Sequence, residues 1–462
     1  MSYLASIGQF NSTFLQSGKF KHQHCRRFKL FPFVANNNSP IVLDLSRVIG
    51  KYLSVIGRKK PVFINCDTLL DQMIAETEIS TPQMQKQFRD IIRRLFFDDN
   101  NNLHPLNIGM LSHIVPQDTA EERVADYLID VLGNQYQLRQ VVDDAFRRSE
   151  KHCHVLERLL NKRLLAEPST ASGEPSYYQI ITALQERFEE DFKYVLGNKE
   201  LSQNYLVKLL EFYYFIYTAH VCLQLECFGN GDRNTCDLYF SLDWETTNQS
   251  RKCYEHGWRK LQPAVKHMYA HAVSLEILNQ TANNDRVYDY IALQRMATAS
   301  SEADWAIGEQ IGILTNEYRK VITDCPTMTA LPKDEHADGV TAAAMRYLFK
   351  NVKTQFELTD RKRPYDAYAK QFETFAQQHF LKARGRSGQM LNLTEELLIF
   401  LTIICTKDEE HMRLNSVFEE FEARGVYLDL VSKKSVIEYY EKLNLIEKKS
   451  DSGDAMYVKR IL

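Results

Sequence analysis

Cysteine is scarce in this sequence, and no stretch resembles a secretion signal. Nine cysteines in 462 residues are too few for a disulfide-stapled scaffold. The first 14 residues lack the basic start, the apolar stretch and the small-residue cleavage site of a signal peptide. We therefore expect a protein of the reducing cytoplasm. With 44% hydrophobic and 25% charged residues, the composition is typical of an ordinary globular protein.

Long hydrophobic runs are also missing. The most apolar run, residues 212–223, is shorter than the roughly 20 residues that span a bilayer. Lys208, Glu211 and Glu226 flank this run, and His220 lies inside it. We therefore predict a buried core helix here and expect no membrane partner.

The motifs of common enzymes are absent from the sequence. There is no G-x-x-x-x-G-K-S/T loop for a nucleoside triphosphate, and residues 385–388 (GRSG) lack the final glycine of a G-x-S-x-G elbow. Residues 447–449 (EKK) supply one Glu-x-Lys triplet of the nuclease type, without an upstream Pro-Asp partner. We therefore expect no enzyme activity, no catalytic residues and no cofactor, and we interpret the triplet as part of a solvated hairpin.

Histidine and cysteine form two groups of the kind that zinc favours, but neither has the spacing of a known zinc motif. The first group joins two clusters, His22, His24 and Cys25 with His152, Cys153 and His154. The second group contains Cys222, Cys227, Cys236 and Cys253. The competing interpretations are a basic patch and an exposed helix for the first group, and small hydrophobic residues of an apolar helix for the second. We predict no metal site.

Acidic residues are absent from the first 43 positions. Within this stretch, residues 19–33 interleave five bases with four aromatic residues, namely Lys19, Lys21, Arg26, Arg27 and Lys29 with Phe20, Phe28, Phe31 and Phe33. Cations neutralise phosphates and exposed rings stack on bases, so this composition suits nucleic acid. The alternative is a β-like segment with its aromatic rings on a core face and its bases in water.

Turn-forming residues divide the chain into three stretches. Residues 165–176 read LAEPSTASGEPS and form the clearest linker. Helical spacing predominates on both sides, and in the first stretch it places five apolar residues on one helix face, Met84, Phe88, Ile91, Ile92 and Leu95. We predict a mostly α, multi-domain helical array with an N-terminal domain at 1–165, an α-helical middle domain at 177–380 and a C-terminal domain at 385–462.

The C-terminal stretch predicts three helices followed by a β-hairpin. Thr394 suits a helix cap, and Gly425 suits a left-handed stop after the second helix. The third helix is predicted at 432–443, and strands at 445–449 and 456–461 flank a turn that reads SDSGD. The residues predicted to point inward are Leu397, Phe400, Leu401, Ile404, Phe418, Phe421, Val436, Tyr440 and Leu443. Three helices and a hairpin wing are typical of a winged-helix domain.

A winged helix contacts DNA through the start of its third helix and through its wing. The residues at these positions are Lys433, Lys434, Ser435, Lys448, Lys449 and Lys459, and Arg384 and Arg386 lie just before the domain. Glu438 and Glu441 lie on the same helix, however, and the domain carries about as many acids as bases. Docking of a protein is therefore the alternative to binding of DNA.

Several segments together resemble the DptG family of DNA phosphorothioation-dependent restriction proteins. They are residues 384–388 (RGRSG), 391–402, 418–425 (FEEFEARG), 440–455, 212–215 (FYYF) and 238–245 (LYFSLDWE). The resemblance covers the last half to two thirds of the chain, and residues 1–163 do not match residue by residue.

The resemblance implies a role in bacterial antiviral defence. In such systems, self DNA carries sulfur in place of one oxygen of selected phosphates, and a restriction complex attacks unmarked DNA. The resemblance also implies that sister subunits, including ATPase and helicase-like proteins, supply the motor. We therefore expect a non-catalytic subunit that binds DNA, serves as a scaffold, or does both. The alternatives are a free-standing winged-helix regulator and a metal-dependent nuclease whose site is built from distant residues.

Overall fold

The structure is a computed structural model that describes residues 3–60, 65–99, 103–104, 107–133, 135–151, 153–164, 167–168, 175–283, 286–332, 338–448 and 456–461. Helices make up most of these residues, and the strands are short. The expected mostly helical fold is confirmed.

The elements up to residue 226 begin with a short helix and a two-stranded hairpin, and helices dominate thereafter. In chain order they are α1 (Ile7–Phe14), β1 (Leu15–Gln16), β2 (Lys19–Phe20), α2 (Ser46–Ile56), β3 (Lys59–Lys60), α3 (Cys66–Ala75), α4 (Pro82–Phe96), α5 (Ile108–Leu111), α6 (Thr119–Val131), α7 (Gln135–Lys151), α8 (Val155–Arg163), β4 (Glu167–Pro168), α9 (Ala183–Gly197) and α10 (Lys199–Glu226).

The elements after residue 226 mix helices with strands that pair over long sequence distances. They are β5 (Tyr239–Leu242), α11 (Lys252–Glu255), α12 (Trp258–Lys266), α13 (Met268–Leu278), α14 (Tyr290–Ala297), α15 (Ser301–Val321), α16 (Val340–Leu358), α17 (Lys362–His379), β6 (Leu381–Ala383), β7 (Gln389–Leu393), α18 (Glu395–Thr406), β8 (His411–Arg413), α19 (Leu414–Ala423), β9 (Tyr427–Leu428), α20 (Leu430–Lys442), β10 (Ile446–Lys448) and β11 (Met456–Lys459). Short 3-10 turns occur at Phe228–Asn230, Pro326–Ala330 and Gly385–Ser387.

The chain forms two compact units. One comprises Met1–Leu43, Tyr177–Leu184 and Phe215–Leu462, and the other comprises Asp44–Ser176 and Gln185–Tyr214. We call them the large unit and the small unit. The large unit therefore groups the first 43 residues with the C-terminal stretch and most of the middle stretch, while residues 185–214 of the middle stretch belong to the small unit. The division into three domains expected from the sequence stays a prediction.

The small unit has an aromatic core around α2. Tyr52 is fully buried, its hydroxyl donates to the Leu132 carbonyl at 2.8 Å, and its ring meets those of Phe188 and Phe192 nearly edge to face. A second core cluster joins α3, α4 and α8 through buried residues that include Leu69, Phe96 and Leu160. The buried tyrosine satisfies its hydroxyl, so it stabilises this core without an unpaired polar group.

The predicted apolar face of α4 is only partly buried. Ile92 is fully buried and Phe88 packs against the same cluster, but Met84, Ile91 and Leu95 are exposed. The buried stripe instead runs through Ile92 and Phe96, because α3 and α8 cover that side of the helix. Correct helical spacing therefore did not identify which side of the stripe faces the core.

In the large unit, the acid-free N-terminal stretch is held by a buried carboxylate. Glu276 is fully buried on α13, and its two oxygens accept hydrogen bonds from the backbone N–H groups of Arg26, Arg27 and Phe28 at 3.0–3.2 Å. Burial raises the pKa of Glu276, although these bonds oppose the rise. Such donors compensate much of the cost of burying the group.

Helices α15 and α16 run side by side in the same direction. The Asp304 carboxylate accepts hydrogen bonds from the N–H groups of Val340 and Thr341 at the start of α16, at 2.8 and 2.9 Å. Fourteen residues further along each helix, the Tyr318 hydroxyl donates to Gln355 at 2.6 Å. Asp304 thus caps the neighbouring helix and fixes where it begins.

A four-stranded sheet joins the last stretch of the chain to the middle of the large unit. The strand order is β6-β7-β5-β9, and β5 is parallel to both β7 and β9. Tyr239 pairs with Tyr427, and Ser241 pairs with Asn392. Strand β5 is therefore a central strand of this sheet.

Elements α18, α19 and α20 correspond to the three predicted C-terminal helices. The same stretch contains a second sheet of strand order β10-β11-β8, in which neighbouring strands are antiparallel. Val458 on the central strand pairs with Ile446 on one side and with Met412 on the other. The inward residues are buried as predicted, except that Leu443 is exposed. Strand β8 was not predicted, and the SDSGD turn lies outside the described residues.

Helix α10 contains the apolar run. Among the described residues it is the one helix long and apolar enough to cross a membrane, and 83% of its most apolar window is buried inside the protein. Phe215, for example, is fully buried and stacks on Phe380 with ring centroids 4.2 Å apart. The prediction of a buried helix is confirmed.

Candidate nucleic-acid and partner interface

Side-chain caps set the starts of α18 and α20. The Thr394 hydroxyl accepts a hydrogen bond from the Leu397 N–H at 3.2 Å, so the predicted cap of α18 is confirmed. At the start of α20, the Asp429 carboxylate accepts from the N–H groups of Val431 and Ser432. Such caps satisfy backbone donors that have no partner inside the helix.

Gly425 ends the α19 segment in a left-handed conformation, with φ of 81°. A Cβ atom at this position would lie 2.1 Å from Nε2 of His220. His220 itself accepts the Cys236 N–H at Nδ1 (3.0 Å), so its Nε2 is the donor to the Gly425 carbonyl at 3.3 Å. Burial lowers the pKa of His220 to about 4, which keeps the ring neutral in this role.

A buried charged cluster holds α20 against β5 and α11. Arg251 binds both oxygens of Asp429, at 2.6 and 3.1 Å, and donates to the Ser432 hydroxyl at 2.8 Å. The Ser432 hydroxyl donates in turn to Glu245 at 2.9 Å, and Glu245 lies 3.2 Å from Arg251. We call these four residues the Arg251 cluster.

The Arg251 cluster places one guanidinium between two buried carboxylates. Burial by itself would raise the pKa of Asp429, but the hydrogen bonds from Arg251 and the Ser432 backbone outweigh that effect and lower it to about 2. Arg251 is close to Glu245 in the sequence, whereas Asp429 and Ser432 lie far along the chain at the start of α20. Asp243 forms a separate ion pair with Lys382.

The outward side of α20 begins with apolar residues. Leu430 is 80% exposed and Val431 is 51% exposed. Lys434, one turn further on, is exposed as well. Further along α20, the ring of Tyr439 lies against that of Trp244, with ring centroids 4.7 Å apart. We call Leu430 and Val431 the α20 surface.

Most predicted DNA contacts around α20 have protein partners. Lys433 pairs with Glu422 at 2.8 Å, Lys448 pairs with Glu441 at 2.7 Å, and Lys459 donates to the Asn444 carbonyl at 3.3 Å. Ser435 is half-buried, and Lys449 lies outside the described residues. Lys434 is the exposed base at the start of the helix and forms no ion pair with the described residues. The positive charge available to phosphate is therefore small.

The two arginines before the domain differ in their environment. Arg384 donates to the carbonyls of Leu242 and Glu245 and to the Asn392 side chain, so it holds the four-stranded sheet together. The Arg386 side chain is exposed. Arg386 therefore presents its charge to solvent, and Arg384 does not.

The N-terminal bases also divide into two groups. Lys19, Lys21 and Arg26 are exposed, the first of them on β2. Arg27 donates to the carbonyls of Thr281 and Asn283, and the Lys29 ammonium lies 5.6 Å from the centre of the Tyr177 ring. Only the first group combines positive charge with full exposure.

The aromatic residues of the same segment face the core. Phe28, Phe31 and Phe33 are buried, and Phe20 stacks on Phe14 with ring centroids 5.4 Å apart. Stacking on bases requires exposed rings. The geometry therefore favours the alternative of a core-facing aromatic side with bases in water.

The histidines and cysteines considered for zinc are dispersed. Among the described residues, no group of three His, Cys, Asp or Glu side chains is placed to hold a metal ion. His22 forms a hydrogen bond with Gln355, and burial lowers its pKa to about 3. His24 lies between the rings of Tyr269 and Tyr368, and burial lowers its pKa to about 4. His154 caps α8, and His152 lies outside the described residues. Cys222 and Cys253 are buried, and Cys227 is exposed.

A comparison of the sequence with protein-family models and with curated proteins finds no match. Functional inference for this interface therefore depends on its own geometry and on the sequence resemblance described above.

Proposed function

We propose that this protein is a non-catalytic, cytoplasmic subunit of a phosphorothioation-dependent restriction complex, and that its C-terminal winged helix docks a sister subunit. The observation that carries the docking role is the α20 surface. Leu430 and Val431 project into solvent at the start of α20, where Lys433 is paired with Glu422 and Lys434 is the one exposed base without an ion pair to the described residues. Exposed apolar residues with little free charge suit a protein partner better than a phosphate backbone.

The winged-helix assignment is supported by the order of the elements. The chain runs α18, β8, α19, α20, β10 and β11, and the sheet order β10-β11-β8 places the first strand beside the last. A helix-turn-helix core with a hairpin wing is built in this order. In the proposed domain α20 is the recognition helix, so the α20 surface occupies the position that normally contacts a target.

The assignment to a restriction complex rests on the sequence resemblance. The proposed partners are ATPase and helicase-like sister subunits, and DNA is engaged by the assembled complex. The Arg251 cluster supports a docking role because it fixes the start of α20 rigidly, and a preorganised surface loses less entropy on binding.

Co-expression with the products of the neighbouring genes tests the proposal. The double variant Leu430→Asp, Val431→Asp places charge on the α20 surface without touching the core. We expect it to weaken copurification of the partner at least about tenfold, as loss of a central contact does. Leu358→Asp is the matched control, since Leu358 is an exposed leucine at the end of α16. Undiminished recovery with the double variant would contradict the proposal.

Direct DNA binding is the second candidate, favoured by the exposed bases Lys434, Arg386, Lys19, Lys21 and Arg26. Fluorescence anisotropy with labelled duplex DNA measures it. If these bases contact phosphates, alanine at Lys434 and Arg386 lowers affinity and makes binding less dependent on salt. Alanine at Lys433 and Lys448, which are paired with acids, is the matched control.

A further inference from the structure

Helix α15 presents an exposed aromatic residue that the fold does not use. Trp305 is 59% exposed, and Ile313 on the same helix is 38% exposed. The core side of α15 is formed by other residues, including Ile307, Ile311 and Tyr318. A large exposed ring on a well-capped helix therefore adds nothing to the core of the large unit.

Helical spacing brings Trp305 together with two carboxylates. Glu302, Trp305, Glu309 and Ile313 are separated by three, four and four residues, so they lie along one side of α15. Glu302 and Glu309 are both exposed. We call these four residues the acidic aromatic face.

The acidic aromatic face itself carries two carboxylates and no base. Glu302 and Glu309 form no ion pair with the described residues. Arg346 pairs with Asp338 at 3.1 Å, and Arg319 is directed to Tyr347 and the carbonyl of Met328. Arg295, on the preceding helix, is the exposed base closest in sequence to Glu302. The two carboxylates thus remain available to cations from outside.

We propose that the acidic aromatic face binds a partner protein through a segment that carries arginine or lysine beside an apolar side chain. The partner's cation lies over the Trp305 ring, where its attraction to the ring quadrupole adds to the ion pairs with Glu302 and Glu309. The apolar side chain of the partner covers Ile313. Tryptophan is enriched among residues that dominate binding energy, which fits its exposure here.

Charge complementarity selects this occupant over nucleic acid. A phosphate backbone would be repelled by Glu302 and Glu309, whereas a basic protein segment is attracted by them. The proposal is independent of the α20 surface, which lies on α20 and lacks this paired-acid pattern.

A pair of synthetic helical peptides tests the proposal with the full-length protein. One peptide carries leucine at helical spacing with arginine beside it, and the other has glutamate at every arginine position. Both carry fluorescein, and binding is followed by anisotropy. We expect the arginine peptide to bind and the glutamate peptide not to bind.

Variants locate the binding. Trp305→Ala is expected to weaken binding of the arginine peptide about tenfold or more, as truncation of a central aromatic does. Glu302→Gln with Glu309→Gln is expected to weaken it and to reduce its dependence on salt. Leu358→Ala, at an exposed apolar position of α16, is the control and should leave affinity unchanged. No binding of the arginine peptide, equal binding of both peptides, or affinity unaffected by Trp305→Ala would overturn the proposal.

Discussion

Arg251 allows two carboxylates to be buried side by side. It binds Asp429 through two nitrogens and lies 3.2 Å from Glu245, and all three side chains are almost fully buried. Replacing one partner of such a cluster leaves the others as uncompensated buried charges, which is costlier than losing a surface pair.

Arg251→Met is therefore expected to lower the free energy of unfolding by about 3–5 kcal/mol. The measurement is urea unfolding followed by tryptophan fluorescence, which reports on the large unit because Trp244, Trp258 and Trp305 all lie in it. Arg460→Met, which removes an exposed pair with Asp408, is the control and should cost less than about 1 kcal/mol. Similar losses for both variants would refute the role assigned to the Arg251 cluster.

Buried histidines make the stability of the large unit depend on pH. Burial lowers the pKa of His22 to about 3 and those of His24 and His220 to about 4, below the ordinary value of 6.5. The unfolded chain therefore takes up protons that the folded one does not. The stability that these neutral rings contribute is fully present above about pH 6.5 and is lost as the pH falls towards the lowered values.

Between about pH 6.5 and 5, the free energy of unfolding should fall as the pH is lowered, by at most about 1.4 kcal/mol per pH unit for each histidine. His24→Phe removes one of these titrating rings without opening a cavity between Tyr269 and Tyr368. The variant should show a shallower slope in urea unfolding at a series of pH values. An unchanged slope would mean that His24 is protonated equally in the folded and unfolded states.

At the scale of elements, the junction between α19 and α20 depends on Gly425. Its φ of 81° disfavours any side chain, and His220 occupies the space where a Cβ would lie. Gly425→Ala should destabilise the large unit by on the order of 2–4 kcal/mol, from backbone strain and overpacking. Gly385→Ala is the control for strain alone, because it also has positive φ but has open space around it. If both variants destabilise the protein equally in thermal unfolding, the clash with His220 contributes nothing to the destabilisation.

Short-range signals predicted much of the C-terminal fold. The Thr394 cap, the Gly425 stop and the hairpin strands depend on residues within a turn or two of each other, and the structure contains all of them. Strand β8 was missed because its three residues, His-Met-Arg, are too short a run for their alternation of polar and apolar positions to indicate a strand. Its strand conformation depends on pairing with β11, more than 40 residues away.

The candidate interface was only partly predictable from the sequence, because exposure is a tertiary property. Sequence position placed Lys433 and Lys448 on the proposed recognition helix and wing but could not show that Glu422 and Glu441 pair with them. The Arg251 cluster joins residues nearly 180 positions apart, so no local pattern revealed it. Leu430 was overlooked because the third helix was predicted to begin two residues after it.

At the scale of the whole molecule, exposed positive charge is scattered over several elements. The net charge of −3 conceals an acid-free N-terminal stretch whose backbone is nonetheless bound by the buried carboxylate of Glu276. Exposed bases are scattered over β2, the turn at Gly385–Ser387 and α20. A protein that binds DNA without partners presents a continuous basic surface. We therefore expect the other subunits of the proposed complex to supply the main DNA contacts.

The most direct test of the central claim is photocrosslinking from the α20 surface. Leu430→p-benzoylphenylalanine places a photoreactive group at its most exposed position, and the same substitution at Leu358 is the control. The protein is co-expressed with the products of its neighbouring genes and irradiated in the presence of duplex DNA. The account predicts a crosslink from position 430 to a sister subunit and none from position 358. A crosslink from position 430 to DNA, with no protein adduct, would contradict it.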